Sequence, residues 1–436
     1  MMEERMIGRI ADALVKAGAD DYEIESVHVE GREFYFIRHR LDQDRAKSVH
    51  TVSAKAFRKL DDGAAVGIAQ AKIPYGASDE EIEKTARDLV YQAGLAKNPA
   101  YGLNEPADVP EGCGAPSEAA VPELRDMAKD YIEAFAGIPE TVTEFLNSYE
   151  IFVNRVDREF VNSRGISVSQ SYPVSQIEVV TNAAEGDHEI ELYRLYERGT
   201  CDRAALTRDV EELLRFGKDR LKAVPTPDVG NAALILSTQD AVELYEYFCY
   251  RMNAANKYMQ ITDWEIGKPI CGSMEGDGIT VKAVPVLPGS SKNFTFDEEG
   301  AFISERYIMK NSVPENFWGA RRFSSYIGLE DSSIVYNFTV DGGRKPAAEL
   351  RKEPYLEVVE FSDFQCDEMT GDIAGEIRLG YYFDGEKIIP VTGGSVSGSL
   401  RELAGKMHLS SEQRQYDNMV VPEVTRIEGV SFTTVD

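Results

Sequence analysis

His188 and Glu189 stand side by side in "GDHEIELYRLYERG". They match the start of a helical zinc motif, where a second histidine follows one turn later and the glutamate acts as general base toward metal-bound water. One turn on, this chain has Leu192 and Tyr193 instead. The alternation of Ile190 and Leu192 predicts a strand, on which His188 and Glu189 point to opposite faces. His28, His39, His50 and His408 are isolated, so any histidine site would have to be gathered by the fold. In "TGGSVSGSL" (392–400), Gly393, Gly394 and Gly398 permit unusual backbone angles, and Arg401-Glu402-Leu403 predict a helix starting just after. Such a loop can hold an anion or a peptide carboxylate, so Gly393, Gly394, Ser395, Ser397 and Gly398 form a candidate peptide-binding loop; a tight turn is the simpler reading. No GK[ST] follows, the G-x-S-x-G pattern is not met, and Ser395 and Ser397 have no assignable base. Asp277-Gly278 reads as a turn, since the ligand spacing of a calcium loop is missing.

The balance of charge narrows the function classes. Over 436 residues the formal charge is −28, which opposes any direct hold on a phosphate backbone and argues against nucleic-acid binding. The carboxylates are scattered, as in a solvated surface. Cys113, Cys201, Cys249, Cys271 and Cys366 are odd in number, far apart and without a CxxC pair. Reduced thiols in a cytoplasmic protein are expected. The opening "MMEERMIGRIADALVKAGAD" has no apolar h-region, and no window is apolar enough to span a bilayer. Neither a signal peptide nor a membrane anchor is expected.

The elements that would position these residues follow from periodicity. Met6, Ile7, Ile10, Leu14 and Val15 predict a helix that stops at Gly18. Strands are predicted in "YEIESVHV", "EFYFIRH", "KSVHTVSAKAF" and "GAAVGIAQAKI", with Gly31 turning the chain between the first two and Asp62-Gly63 forming a hairpin between the last two. Ser78 caps a helix running to about Gly94. A linker is expected at 104–123, and a second helix-plus-meander unit over 124–226. The expected organisation is α+β: an N-terminal α+β domain (1–103), the linker, a middle α+β domain (124–226) and a mostly β C-terminal domain (227–436), closed or two-layered. In that last domain "AVELYEYFCYRMNAANKYM" (241–259) is a helix with Val242, Tyr245, Phe248, Cys249 and Met252 on one stripe, as a core helix requires.

Five stretches in order resemble the TldD/PmbA family, whose members carry the label of modulators of DNA gyrase. They are "GADDYEIESVHVEGREFYFIR" with "DDGAAVGIAQ", "EFVNSRGISVSQSYP", "KAVPTPDVGNAALILSTQDAVELYEYF" and "GEIRLGYYFDGEKIIPVTGGSVSGSL". The resemblance implies a cytoplasmic peptidase system that trims or degrades unfolded peptides. TldD-type members place an HExxxH zinc motif on the first helix of the C-terminal domain and a cysteine ligand near the C-terminus. PmbA-type members, also called TldE, lack these ligands and pair with a TldD-type subunit.

Aligned by eye, the TldD-type histidines fall near Glu246 and Arg251, Tyr247 replaces the base, and the cysteine ligand falls near Arg414. A guanidinium cannot coordinate zinc. The resemblance therefore implies a PmbA/TldE-type pseudoenzyme subunit: no catalytic residue and no metal of its own, zinc in the TldD-type partner, a peptide substrate, and a heterodimer, or a homodimer in isolation. The alternatives are a stand-alone hydrolase using other residues, such as Glu246 with further carboxylates, and a non-enzymatic interaction protein of the gyrase-modulator type.

Overall fold

The computed structural model describes residues 2–109, 121–330 and 332–434. Cys113 and most of the linker expected at 104–123 lie outside the described residues. The first unit runs α1 (Met2–Ala17), β1 (Asp21–Ile37), β2 (Arg40–Leu60), β3 (Ala65–Ile73) and α2 (Asp79–Ala93), followed by a two-residue strand β4 (Asn98–Pro99). The second repeats the pattern as α3 (Leu124–Ala136), β5 (Glu144–Asn162), β6 (Ser167–Glu185), β7 (His188–Arg198) and α4 (Arg203–Leu221). His188 and Glu189 thus begin a strand. The two units drawn separately from sequence are joined edge to edge. Antiparallel pairing of β1 with β5, from Glu23↔Asn162 to Ile37↔Ser148, merges them into one seven-stranded sheet ordered β4-β3-β2-β1-β5-β6-β7.

Local signals place the elements. Ser78 accepts a hydrogen bond from Glu81 N, and Glu81 accepts one from Ser78 N at 2.8 Å, a reciprocal cap on α2. Asp62 and Gly63 take positive φ at the β2–β3 connection, where a two-strand return needs it. The expected turn at Gly31 is corrected: β1 passes straight through it. A Cβ there would come within 2.3 Å of Asn154 Oδ1 on β5, so the glycine serves close approach of the neighbouring strand rather than a reversal. Helices α1 and α2 cover one half of the sheet through Ile10, Leu14, Ile82 and Leu89, all buried with Ile24 and Val52. Helices α3 and α4 cover the other half through Tyr131, Phe135, Val210 and Leu213, and Val359 and Leu379 of the C-terminal domain enter that same core.

After β8 (Val224–Pro225), β9 (Ala233–Leu236) leads into α5 (Ala241–Arg251). Strand β9 lies inside a nine-stranded mixed sheet, parallel to Tyr355–Cys366 and antiparallel to Thr425–Ile427. A second, six-stranded sheet includes Val281–Val284, Arg306–Lys310 and Asn337–Val340. Leu244, Tyr245, Phe248 and Met252 of α5 share one core with Leu356 and Val358 of the first sheet and Val281, Ile308 and Val340 of the second. The C-terminal domain is two-layered, with α5 packed into its core.

A Cβ on Gly67 of β3 would lie 1.6 Å from Ala93 O, at the end of α2. We expect Gly67→Ala to destabilise the fold by about 3 kcal/mol or more through overpacking, and Ser78→Ala by about 1 kcal/mol through loss of the cap. Urea denaturation of the two variants checks both the sizes and their order.

Candidate functional site

Helix α5 is buried on most of its surface, and what it buries includes a charge. Arg251, its last residue, is 1% exposed. Nη1 donates to Ile261 O at 2.8 Å and to Met369 O at 2.9 Å, and Nη2 donates to the Asp263 carboxylate. Its Cζ lies 5.2 Å from the Trp264 ring centroid and 5.8 Å from that of Tyr247. Burial and the nearby Arg401 push its pKa below the usual arginine range, against the pull of Tyr247 and Asp263. The guanidinium is the tie that holds the segment after α5 and the 367–371 turn to the end of the helix.

Tyr247, one turn back, is 1% exposed, and its ring lies against Gly371, where a Cβ would come within 2.9 Å of the phenol. Gly371 has φ +81°, so both the backbone angle and the close ring demand glycine. Glu246 projects from the opposite side and reaches solvent, yet partial desolvation and the neighbouring Glu368 raise its pKa. Glu243 accepts a hydrogen bond from Cys366 N at 3.1 Å. Burial, helped by Asp240, Glu246 and Asp363, pushes the Glu243 carboxyl up to about 7. Glu368 is raised by burial and by Asp367. Cys366 is pushed to about 12 and Cys249 well upward, in both cases chiefly by burial, so neither supplies thiolate near neutral pH.

The fold therefore gathers Glu246, Tyr247 and Arg251 with the 366–371 segment. Arg414 goes elsewhere. It donates to Asp209 at 2.8 Å and Glu212 at 2.7 Å, both on α4, and lies over Tyr416, so it ties the second unit to the C-terminal domain and shares no partner with Arg251. Next to it Arg194 of β7 pairs with Glu360, a second charged tie across the same junction. These groups do not make a zinc shell. Arg251 and Arg414 are cations engaged with carboxylates and carbonyls, and among the described residues no three His, Cys, Asp or Glu side chains converge as metal ligands.

The 392–400 segment is a strand switch. The strand Asp372–Phe383 pairs first with Ile388–Val391 and then, at its other end, with Ser395–Ser399. Gly393 and Gly394 make the transition with φ of +83° and +80°, and a Cβ on Gly394 would meet Thr433 O at 2.2 Å. Thr226 Oγ1 donates to Gly393 O, and the Ser395 hydroxyl lies 2.7 Å from Thr433 Oγ1. Ser397 pairs with Ala374, and Gly398 leaves room for Leu403 Cδ1, which would stand 2.6 Å from a Cβ. Among the histidines, β1 and β2 bring His28 opposite His50, their rings 5.3 Å apart, each within hydrogen-bond distance of a serine.

Two features were missed in the sequence. Carboxylates Glu243 and Glu368 flank Glu246, and the helical three-residue step from Glu243 to Glu246 was the available signal. The run Phe296-Asp297-Glu298-Glu299-Gly300 forms a turn that docks on the first sheet. Asp297 accepts from Glu299 N and Ala301 N, Gly300 has φ +74°, and Gln170 Nε2 donates to Phe296 O. An Asp preceding Gly by three is a turn signature readable without a structure.

The PmbA/TldA metallopeptidase C-terminal domain profile matches residues 230–434. No curated protein matches the sequence. Three solved structures share the fold along nearly the whole chain. TldE from Thermococcus kodakarensis has a TM-score of 0.78 at 14% identity, covering 99% of this chain and 100% of its own. A candidate modulator of a DNA gyrase from Thermotoga maritima has 0.77 at 16%, with 99% and 100% covered. A similar protein from Bacteroides thetaiotaomicron has 0.78 at 16%, with 99% of both covered.

Removing the Arg251 head leaves two carbonyls without their donor. We expect Arg251→Met to cost about 2–4 kcal/mol, and Asp263→Ala, whose carboxylate is 79% exposed, under about 1 kcal/mol. Denaturant midpoints of the two variants test the asymmetry. The raised Glu243 pKa has a signed consequence. The folded state holds this proton more tightly than the unfolded chain, so its contribution is fully present below the ordinary carboxyl pKa and is lost as pH rises toward about 7. Glu243→Gln, which can still accept from Cys366 N, should gain stability relative to the parent at pH 8 compared with pH 4. Equal differences at the two pH values would refute the assignment.

Proposed function

From its C-terminal domain, which belongs to the PmbA/TldD family, and from a whole-chain fold shared with TldE, we propose that this chain is a non-catalytic PmbA/TldE-type subunit of a zinc metallopeptidase system acting on unfolded peptides in the cytoplasm. The observation that carries the reading is Arg251. The region of α5 where the TldD-type ligands are expected holds a buried guanidinium committed to Ile261 O, Met369 O and Asp263. A cation fixed in this way repels a divalent metal and cannot be recruited as a ligand. The flanking Glu243, Glu246 and Glu368 are carboxylates of raised pKa without an assignable nucleophile. The catalytic zinc and its general base belong, on this reading, to a TldD-type partner.

The test is to purify this chain, its HExxxH-bearing paralogue and the co-expressed pair, and to measure zinc content and cleavage of an unfolded peptide. This chain alone should hold no stoichiometric zinc and cleave nothing, while the pair should do both. Stoichiometric zinc with cleavage by this chain alone would overturn the proposal. Metal-free cleavage by this chain, abolished by Glu246→Gln, would establish the stand-alone hydrolase instead.

A further inference from the structure

Two hydrogen-bond donors at the end of α5 are buried without a partner. Both Nη atoms of Arg251 are engaged, but its Nε is not, and neither is the hydroxyl of Tyr247. A third donor stands in front of them. Arg401 is exposed at the start of the short helix Leu400–Leu403. Its Nη2 reaches Met369 O at 3.4 Å, the same oxygen that Arg251 Nη1 holds at 2.9 Å, so two guanidiniums are brought to one carbonyl. Burial raises the pKa of the Tyr247 phenol, and Arg251 and Arg401 both pull against that rise, as two cations beside one hydroxyl must.

The charges point the same way. Among the described residues Asp263 is the one carboxylate bonded to either arginine. Asp367, in the adjoining turn, gives its carboxylate to the amides of Met369 and Thr370. One positive charge is left over beside two buried donors, and unpaired buried donors are costly until an acceptor reaches them. Depth is no bar to one. Asp263, bonded to Arg251 Nη2, is 79% exposed and Arg401 is exposed, so the free donors lie about one side chain below the surface. An entering oxyanion takes the place of the long contact from Arg401 to Met369 O. A set made only of donors, two of them guanidiniums, suits a planar carboxylate, which accepts through both oxygens. The single surplus charge favours a monoanion over phosphate, whose second proton is largely lost at neutral pH.

We infer that Arg401, the Tyr247 hydroxyl and the Nε of Arg251 form a binding site for one carboxylate group, with Arg401 as its outer wall. This rests on the side chains around Met369 O and stands apart from the subunit reading, whose zinc and cleavage measurements it does not touch. The test titrates the full chain with N-acetylglycine, N-acetylglycinamide and inorganic phosphate at neutral pH and constant ionic strength. Trp264, whose ring centroid lies 5.2 Å from Arg251 Cζ, reports through its fluorescence. The acid should give a saturable change, the amide none, and phosphate should bind more weakly than the acid. Arg401→Ala, at an exposed position, and Tyr247→Phe, which keeps the ring, should each weaken binding of the acid by about tenfold, the size expected for one hydrogen bond to a charged group, with circular dichroism unchanged. No saturable response to the acid, or an equal response to the amide, would overturn the inference, and that comparison needs neither variant. Undiminished affinity in either folded variant would overturn it too, and tighter binding of phosphate would overturn the assignment to a carboxylate.

Discussion

A guanidinium that solvent hardly reaches must find its hydrogen-bond acceptors inside the protein, and the organisation of the C-terminal domain around α5 follows from how Arg251 does so. Helix α5 enters the core between two sheets with Leu244, Tyr245, Phe248 and Met252, and that burial carries its terminal arginine inward. Two main-chain carbonyls and one carboxylate answer the charge. Those acceptors come from residues 261–263 and from the 367–371 turn, so one side chain fixes the path of both segments. Tyr247 reinforces the arrangement by requiring glycine at position 371. Net hydrogen bonds to a charged group contribute about 1.5–3 kcal/mol each, enough to make this a specific structure rather than a fortuitous contact.

The same burial explains the carboxylates. Glu243 and Glu246 lie three residues apart on the part of α5 that faces outward, and Glu368 comes from the turn that Arg251 holds. Their pKa values rise mainly because the helix and turn displace water, with mutual repulsion adding to it. Both Nη atoms of Arg251 are engaged with Ile261 O, Met369 O and Asp263, and none of these hydrogen bonds reaches the three glutamates. The region therefore combines a hydrogen-bonded buried cation with carboxyls that hold their protons above the ordinary range.

Much of this was legible where the cause was local. The Ser78–Glu81 cap, the turn at Asp62-Gly63, the core stripe of α5 and the α+β organisation all depend on residues a few positions apart. What could not be read depends on distant partners. Gly31 looks like a turn until β5 brings Asn154 against it, and the two N-terminal units look separable until β1 and β5 pair. Arg251 sits on a helix whose stripe is apolar, and nothing nearby in sequence announces that Ile261 O and Met369 O will receive it. Arg414 aligned by eye with a ligand position, but its environment is set by Asp209 and Glu212 on α4, some two hundred residues earlier.

The two ties, at Arg251 and at Arg414, divide the labour of the fold. Arg414 and Arg194 fasten the first sheet and its helices to the C-terminal domain through carboxylates on both sides of the junction. Arg251 fastens the interior of that domain to itself. A charged tie inside a packed core is seldom the most stable solution, because apolar residues of the same volume avoid the desolvation cost. It does exclude alternatives: a slipped turn at 367–371 would strand both the cation and the carbonyl of Met369. The arginine on α5 thus fixes one path for the 261–263 segment and for the 367–371 turn.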